Sequence, residues 1–166
     1  MEIVIILGLI FFNGILSMSE IAMVSARKSR LETAAKKGSK TAKTALRLAN
    51  EPDRFLSTIQ IGITLIGILT GLYSGEALAG DLARWLETIG IPQAHSLTLA
   101  KGIIVILVTY LTLILGELVP KHLGMNAPEK IARLIARPME VLSKIASPFV
   151  WLLSASTQAV IRLTGL

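Results

Sequence analysis

Two acidic residues of this chain lie inside apolar stretches, each next to small or hydroxylated neighbours: Ser17-Met18-Ser19-Glu20 and Gly116-Glu117. A third apolar stretch carries Gly62-Ile63-Thr64 and, one turn on, Gly67. A carboxylate in hydrocarbon is costly unless it is paired, neutralised or turned to water, so such residues mark function by default. Carboxylates, hydroxyls and exposed carbonyls are also the oxygen donors that a hard cation takes, and Mg²⁺ keeps several waters besides. Ser17, Ser19, Glu20, Thr64, Gly67, Gly116 and Glu117 are therefore the candidate ligands of a small cation cavity between helices.

Pro120 adds a backbone device. It has no N–H to offer the carbonyl of Gly116 and its ring clashes there, which kinks the helix and frees that carbonyl. Irregular backbone at membrane depth is tolerated where it lines a cavity. Other readings stand beside this one. Gly62, Gly67, Gly71 and Gly75 suit close helix packing. Ser17, Ser19, Thr64 and Thr70 can bond back to their own helices. Glu20 can pair at the inner rim with Arg27 or Lys121.

The elements that hold these residues must be membrane spans. Apolar residues make up 52% of the 166 residues, only 17% are charged, and the mean hydropathy is +0.66. A soluble domain is about a quarter charged, which excludes that class. Stretches of about 20 residues cross a bilayer core, and Ile3–Val24, Phe55–Leu78 and Lys101–His122 meet that length. The first lacks a basic leader segment and reads as a retained span rather than a signal peptide. Cysteine is absent and the two histidines are far apart, leaving no thiolate chemistry and no histidine metal motif.

The net charge of +6 does not point to nucleic acid, because nine of the seventeen basic residues fall in Arg27–Arg54, between the first two spans. Positive-inside bias makes that loop cytoplasmic and puts the amino terminus outside. The loop reads as one or two helices ended by Glu51-Pro52, since a residue before proline is pushed out of the helical region. Leu78, Leu82, Trp85 and Leu86 suggest a short interfacial helix before a turn at Gly90-Ile91-Pro92. Pro128 opens an amphipathic helix with Ile131, Leu134, Ile135 and Pro138 on one side; residues 139–165 then suit an interfacial belt better than a fourth crossing. At 1.5 Å per residue, Ser17, Glu20, Thr64, Gly67 and Glu117 fall roughly 7–18 Å from the inner ends of their helices. One domain, all α, with three transmembrane helices, follows for residues 1–166.

At these residues the chain resembles the transmembrane domain of the CorC/cyclin-M (CNNM) family of magnesium transporters. The likeness rests on Phe11-Phe12-Asn13-Gly14 leading to Ser17-Met18-Ser19-Glu20-Ile21-Ala22, on Arg27-Lys28-Ser29-Arg30-Leu31, on Asp53 through Gly62, and on Leu115-Gly116-Glu117-Leu118-Val119-Pro120-Lys121. It implies a homodimer in the cell membrane with an inward-facing site for Mg²⁺, exchanged for Na⁺, and a cytoplasmic CBS pair beyond this domain in the full-length protein. By position it implies Ser17, Gly116 and Glu117 as ligands, with Ser19 and Glu20 as neighbours. Many members carry asparagines after the glycine matching Gly62, whereas this chain has Ile63, Thr64 and Gly67, so the second helix departs from the pattern. Two alternatives remain at this level: transport of another cation such as a polyamine, and a membrane anchor or sensor that regulates other proteins. An enzyme is not expected, since neither Ser17 nor Ser19 has a histidine placed to activate it as a nucleophile.

Overall fold

The computed structural model describes residues 1–165. Among them every regular element is helical: α1 (Glu2–Ser25), α2 (Lys28–Lys36), α3 (Lys40–Asn50), α4 (Pro52–Thr88), α5 (Gln93–Leu113), a π-helical turn (Ile114–Leu118), α6 (Val119–Asn126) and α7 (Pro128–Leu163). Three helical stretches are long and apolar enough to cross a membrane: Glu2–Ser25, Pro52–Thr88 and Gln93–Asn126. Their outward faces keep large apolar side chains in the open, as with Phe11, Leu72 and Ile106, the last 73% exposed in mid-helix. Such faces are stable against hydrocarbon and not against water. The protein is an all-α, multi-pass membrane domain.

The helix boundaries follow local chain chemistry. Arg27 is extended (φ −77°, ψ 116°) and separates α1 from α2. Gly38 takes φ +96°, a conformation that costs other residues, and Ser39 then caps α3 by accepting from the Ala42 N–H at 3.2 Å. Glu51, ahead of Pro52, leaves the helical region (φ −120°, ψ 62°), so the loop holds two helices before α4 begins. Gly90 at φ +102° makes the turn into α5.

Two expectations are corrected. Leu78–Leu86 is not a separate interfacial helix: α4 runs unbroken to Thr88, because nothing before Gly90 breaks its hydrogen-bond ladder. Likewise 139–165 is not a separate element. α7 continues from Pro128 through Pro138 and Pro148 as one 36-residue helix.

By internal contacts the chain forms two compact units, residues 1–18 with 62–123, and residues 19–61 with the stretch from 124 onward. In the first unit, α4 and α5 pack as a hairpin on Ala79, Ile104 and Val108 and, nearer the turn, on Ala83, Leu86 and Ala100. In the second, α3 lies against α2 and α7. The buried side of α7 is Ala132, Ile135, Ala136, Met139, Ser143 and Ala146. That face is rotated from the expected one, for Leu134 is 74% exposed and Pro138 is also open. Small residues let helix backbones approach: the buried side of α7 is rich in alanine, and so is that of α3, which packs against it and carries Ala42, Ala45 and Ala49. Arg47 and Glu140 clip the same pair of helices at 2.6 Å.

Candidate functional site

The first unit holds the π turn, and the π turn carries Gly116 and Glu117. Here the helix widens so that the Val119 N–H reaches the Ile114 carbonyl, five residues back. Such turns are rare and cluster at functional positions. The cause is close at hand, since Pro120 has no N–H to continue the ordinary ladder at Gly116. The irregularity thus takes the form of a widened turn ahead of the proline.

Two glycines let α1 meet this turn. A Cβ on Gly14 would lie 2.9 Å from Pro120 Cγ and 3.1 Å from the Leu115 carbonyl oxygen. A Cβ on Gly116 would lie 3.3 Å from both the Ile10 carbonyl oxygen and Asn13 Nδ2. Gly62, on α4, would meet Leu16 Cδ1 at 2.7 Å. By contrast, Gly67, Gly71 and Gly75 have nothing within 4 Å of that position, so the packing role falls to other glycines.

The close approach gives the Gly116 carbonyl a partner. Asn13 Nδ2 donates to it at 3.0 Å across a separation of 103 residues, and the bond is buried. One helical turn along α1, Ser17 is 1% exposed. Its Oγ and the Asn13 Oδ1 are both fully shielded and have no partner within the protein. Leaving a buried polar atom unpaired costs about 1–3 kcal/mol, so two on one stripe call for an explanation.

Glu117 is half-buried, and its Oε1 accepts from Lys121 Nζ at 3.0 Å, one turn further along. With 41% of the carboxylate side chain open, the pair is partly solvated and weakly held. Thr64 and Gly67 sit on exposed stretches of α4. Gly67 lines a shallow cleft of about 140 Å³ with Thr70, Gly71, Val108 and Thr112. Thr70 bonds back to the Ile66 carbonyl at 2.7 Å and is therefore occupied. Ser19 and Glu20 belong to the second unit, the serine buried and the glutamate half-buried.

The first unit therefore brings together Ser17, Gly116 and Asn13, with Glu117 on the same turn as Gly116. Asn13 was not among the residues that the apolar pattern singles out. A polar residue in the middle of α1 was the available signal, masked by its place in a motif with Gly14. Among the described residues no three His, Cys, Asp or Glu side chains gather as a metal centre. The donors on hand are a hydroxyl, an amide and a carbonyl, with one carboxylate nearby, which suits a cation that is bound and released rather than retained.

The second unit carries a different polar feature. Glu129, at the start of α7, accepts from the Arg27 N–H at 3.3 Å and lies 3.7 Å from the Arg30 guanidinium. Its carboxyl is held below the usual range, first by its own backbone N–H and then, against the cost of burial, by the Arg27 N–H and the charges of Arg30 and Arg27.

Comparison with known proteins agrees with this architecture. The family model described as the cyclin M transmembrane N-terminal domain matches residues 4–166. A UPF0053 protein of Synechocystis is 48% identical over all 166 residues, which cover 37% of its own length. A second UPF0053 protein, from Bacillus subtilis, is 31% identical over 99% of this chain and 36% of its own. The polyamine export protein of Escherichia coli is 30% identical over 98% of this chain and 36% of its own. The chain thus spans between a third and two fifths of these curated relatives. Matched from its fourth residue onward, this chain belongs to the cyclin M transmembrane domain family.

Proposed function

We propose that this domain binds a cation within the membrane and moves it across, with Mg²⁺ as cargo and Ser17, Gly116 and Glu117 as its ligands. The observation that carries the reading is the Ser17 hydroxyl: buried, on the helix face that meets the π turn, and with no partner in the protein. A hard ion supplies what that oxygen lacks. Glu117 supplies the charge, and Lys121 shields it when no ion is present. In this reading the loop at Arg27–Arg54 is cytoplasmic, the amino terminus is outside, and the site opens inward. Export coupled to Na⁺ and assembly as a homodimer complete the proposal. The bare faces of Gly67, Gly71 and Gly75 are suited to a second copy of the chain. Thr64 stands in it as an outer polar residue rather than a first ligand.

A second reading is favoured by one relative's name. A polyamine, whose ammonium groups donate hydrogen bonds, would use the same oxygens, and the polyamine export protein is 30% identical to this chain. Thermal unfolding of the purified protein in detergent, titrated with Mg²⁺, Na⁺ and putrescine, separates the two. Mg²⁺ should raise the melting temperature of the wild type, and Glu117→Gln and Ser17→Ala should abolish the shift. A shift with putrescine alone supports the second reading. Equal responses in wild type and Glu117→Gln would leave the domain as an anchor or sensor instead.

A further inference from the structure

We infer that α7 binds anionic phospholipids. A basic edge formed by Lys130, Arg133, Arg137 and Lys144 takes their phosphates, and an apolar stripe beside it lies among their acyl chains. This site is separate from the cation ligands. The fold leaves one face of α7 uncovered. Leu134, Pro138, Val141, Ile145, Phe149 and Leu152 recur every three or four residues and so share one side of the helix. All six are exposed, and Leu134, Val141, Ile145, Phe149 and Leu152 are each more than half open. Thus α7 has two apolar sides. The one that carries Ala132, Ala136 and Ala146 is buried within the second unit. The larger side chains, on the opposite side, stay open.

An open stripe of large apolar residues marks a surface for a membrane or for a partner. Two observations favour the membrane. The second unit contains one end of each span, at Ser25, Pro52 and Asn126, so α7 begins where the third span stops. The stripe also has cations along one border. Counting about 100° per residue, Lys130, Arg133, Arg137 and Lys144 fall within about 60° of one another there. All four are exposed, and among the described residues none is paired with a carboxylate. The acids of α7, Glu129 and Glu140, lie beyond that edge and already face Arg30 and Arg47 at 3.7 and 2.6 Å. The edge therefore keeps its positive charge whole.

This pattern selects the class of lipid. A zwitterionic headgroup brings an ammonium that such an edge repels, whereas an anionic one brings its phosphate without a compensating cation. Basic clusters beside a span or on an amphipathic helix are held by anionic lipids for this reason. Lysine and arginine stems can follow the apolar surface while their charged heads reach the phosphates. The row runs about 21 Å along the helix axis, room for more than one headgroup.

Trp151 is the reporter. It lies two turns beyond Lys144 on the same edge and is 71% exposed. Trp85→Phe leaves it as the one tryptophan of the chain. The Trp85→Phe protein is reconstituted into vesicles of phosphatidylcholine and phosphatidylglycerol, with bromine on the acyl chains of one lipid at a time. Quenching of Trp151 fluorescence then gives the relative affinity of the two lipids. Phosphatidylglycerol should be preferred by at least about fivefold, one basic residue's share of the attraction to an anionic surface. The preference should fade as added salt shortens the reach of the charges. Lys130→Gln, Arg133→Gln, Arg137→Gln and Lys144→Gln together should remove it, while Lys130→Arg with Lys144→Arg should keep it. Equal quenching by the two lipids with the four residues in place overturns the inference. A preference that persists at about 1 M salt, survives the four glutamines or is lost in the arginine pair also overturns it. Loss of the preference on adding inorganic phosphate at constant ionic strength would assign the edge to a free anion instead. If neither brominated lipid quenches Trp151, α7 is covered by protein and the lipid site is refuted. The cation titrations above are read separately from all of these outcomes.

Discussion

Replacing Gly14 by alanine tests the contact on which the site depends, and Gly8 on the same helix provides its control. Both are glycines inside α1, so each substitution gains about 0.8–1.0 kcal/mol of helix propensity, and that gain cancels when the two variants are compared. At Gly8 the new methyl meets nothing within 4 Å. At Gly14 it meets the Pro120 ring at 2.9 Å and the Leu115 carbonyl at 3.1 Å. Neither neighbour can swing aside, for one is a closed ring and the other is backbone. Overpacking of this kind costs about 1–3 kcal/mol. Pushing α1 off the π turn also stretches the buried bond from Asn13 to Gly116, worth about 0.5–1.5 kcal/mol. Gly14→Ala should therefore be less stable than Gly8→Ala by about 1.5–4.5 kcal/mol. Thermal unfolding of the two variants side by side in one detergent measures the difference. Gly14→Ala should also lose Mg²⁺ response, while Gly8→Ala keeps it. Equal melting temperatures for the two variants would refute the packing on which the site is built.

Two further predictions concern charge. Lys121→Met removes the ammonium that shields Glu117 and should tighten Mg²⁺ binding by up to about fivefold, the equivalent of an exposed ion pair worth up to about 1 kcal/mol; a Mg²⁺ titration by thermal shift reads it, and weaker binding would count against the competition. Glu129 gives the pH dependence: its folded carboxyl sits below the ordinary value of 4.5, so its contribution is complete above that value and is lost as pH falls through the lower, folded one. Protection of the α2 amides, corrected for the intrinsic pH dependence of exchange, should therefore fall as the pH drops through the lowered carboxyl value in the wild type, and Glu129→Gln should show no such step.

The boundaries of the fold were legible because they depend on neighbours in sequence. Glu51-Pro52 stops α3 and Gly90 turns the chain into α5, each by its own backbone preference. Where the reading erred, a local signal was weaker than its surroundings. Pro138 does not start a new helix within α7, and Leu134 is exposed while Ala132 and Ala136 are buried, because α3 selected the small face. In the candidate site, Gly116 and Pro120 could be paired from sequence, being four residues apart. Asn13 could not, since its partner lies 103 residues away.

The sequence by itself determined that this is a membrane domain of three apolar helices, with acids and hydroxyls set at depth. Hydropathy and charge act residue by residue, so a linear reading captures them. Only the tertiary structure decided which small residues make contact and which polar atoms are left over. Gly14 and Gly116 meet other helices while Gly67, Gly71 and Gly75 do not, although all five look alike in the sequence. Whether the Ser17 and Asn13 oxygens have partners depends on which helix lies opposite them, and close packing between distant segments sets that.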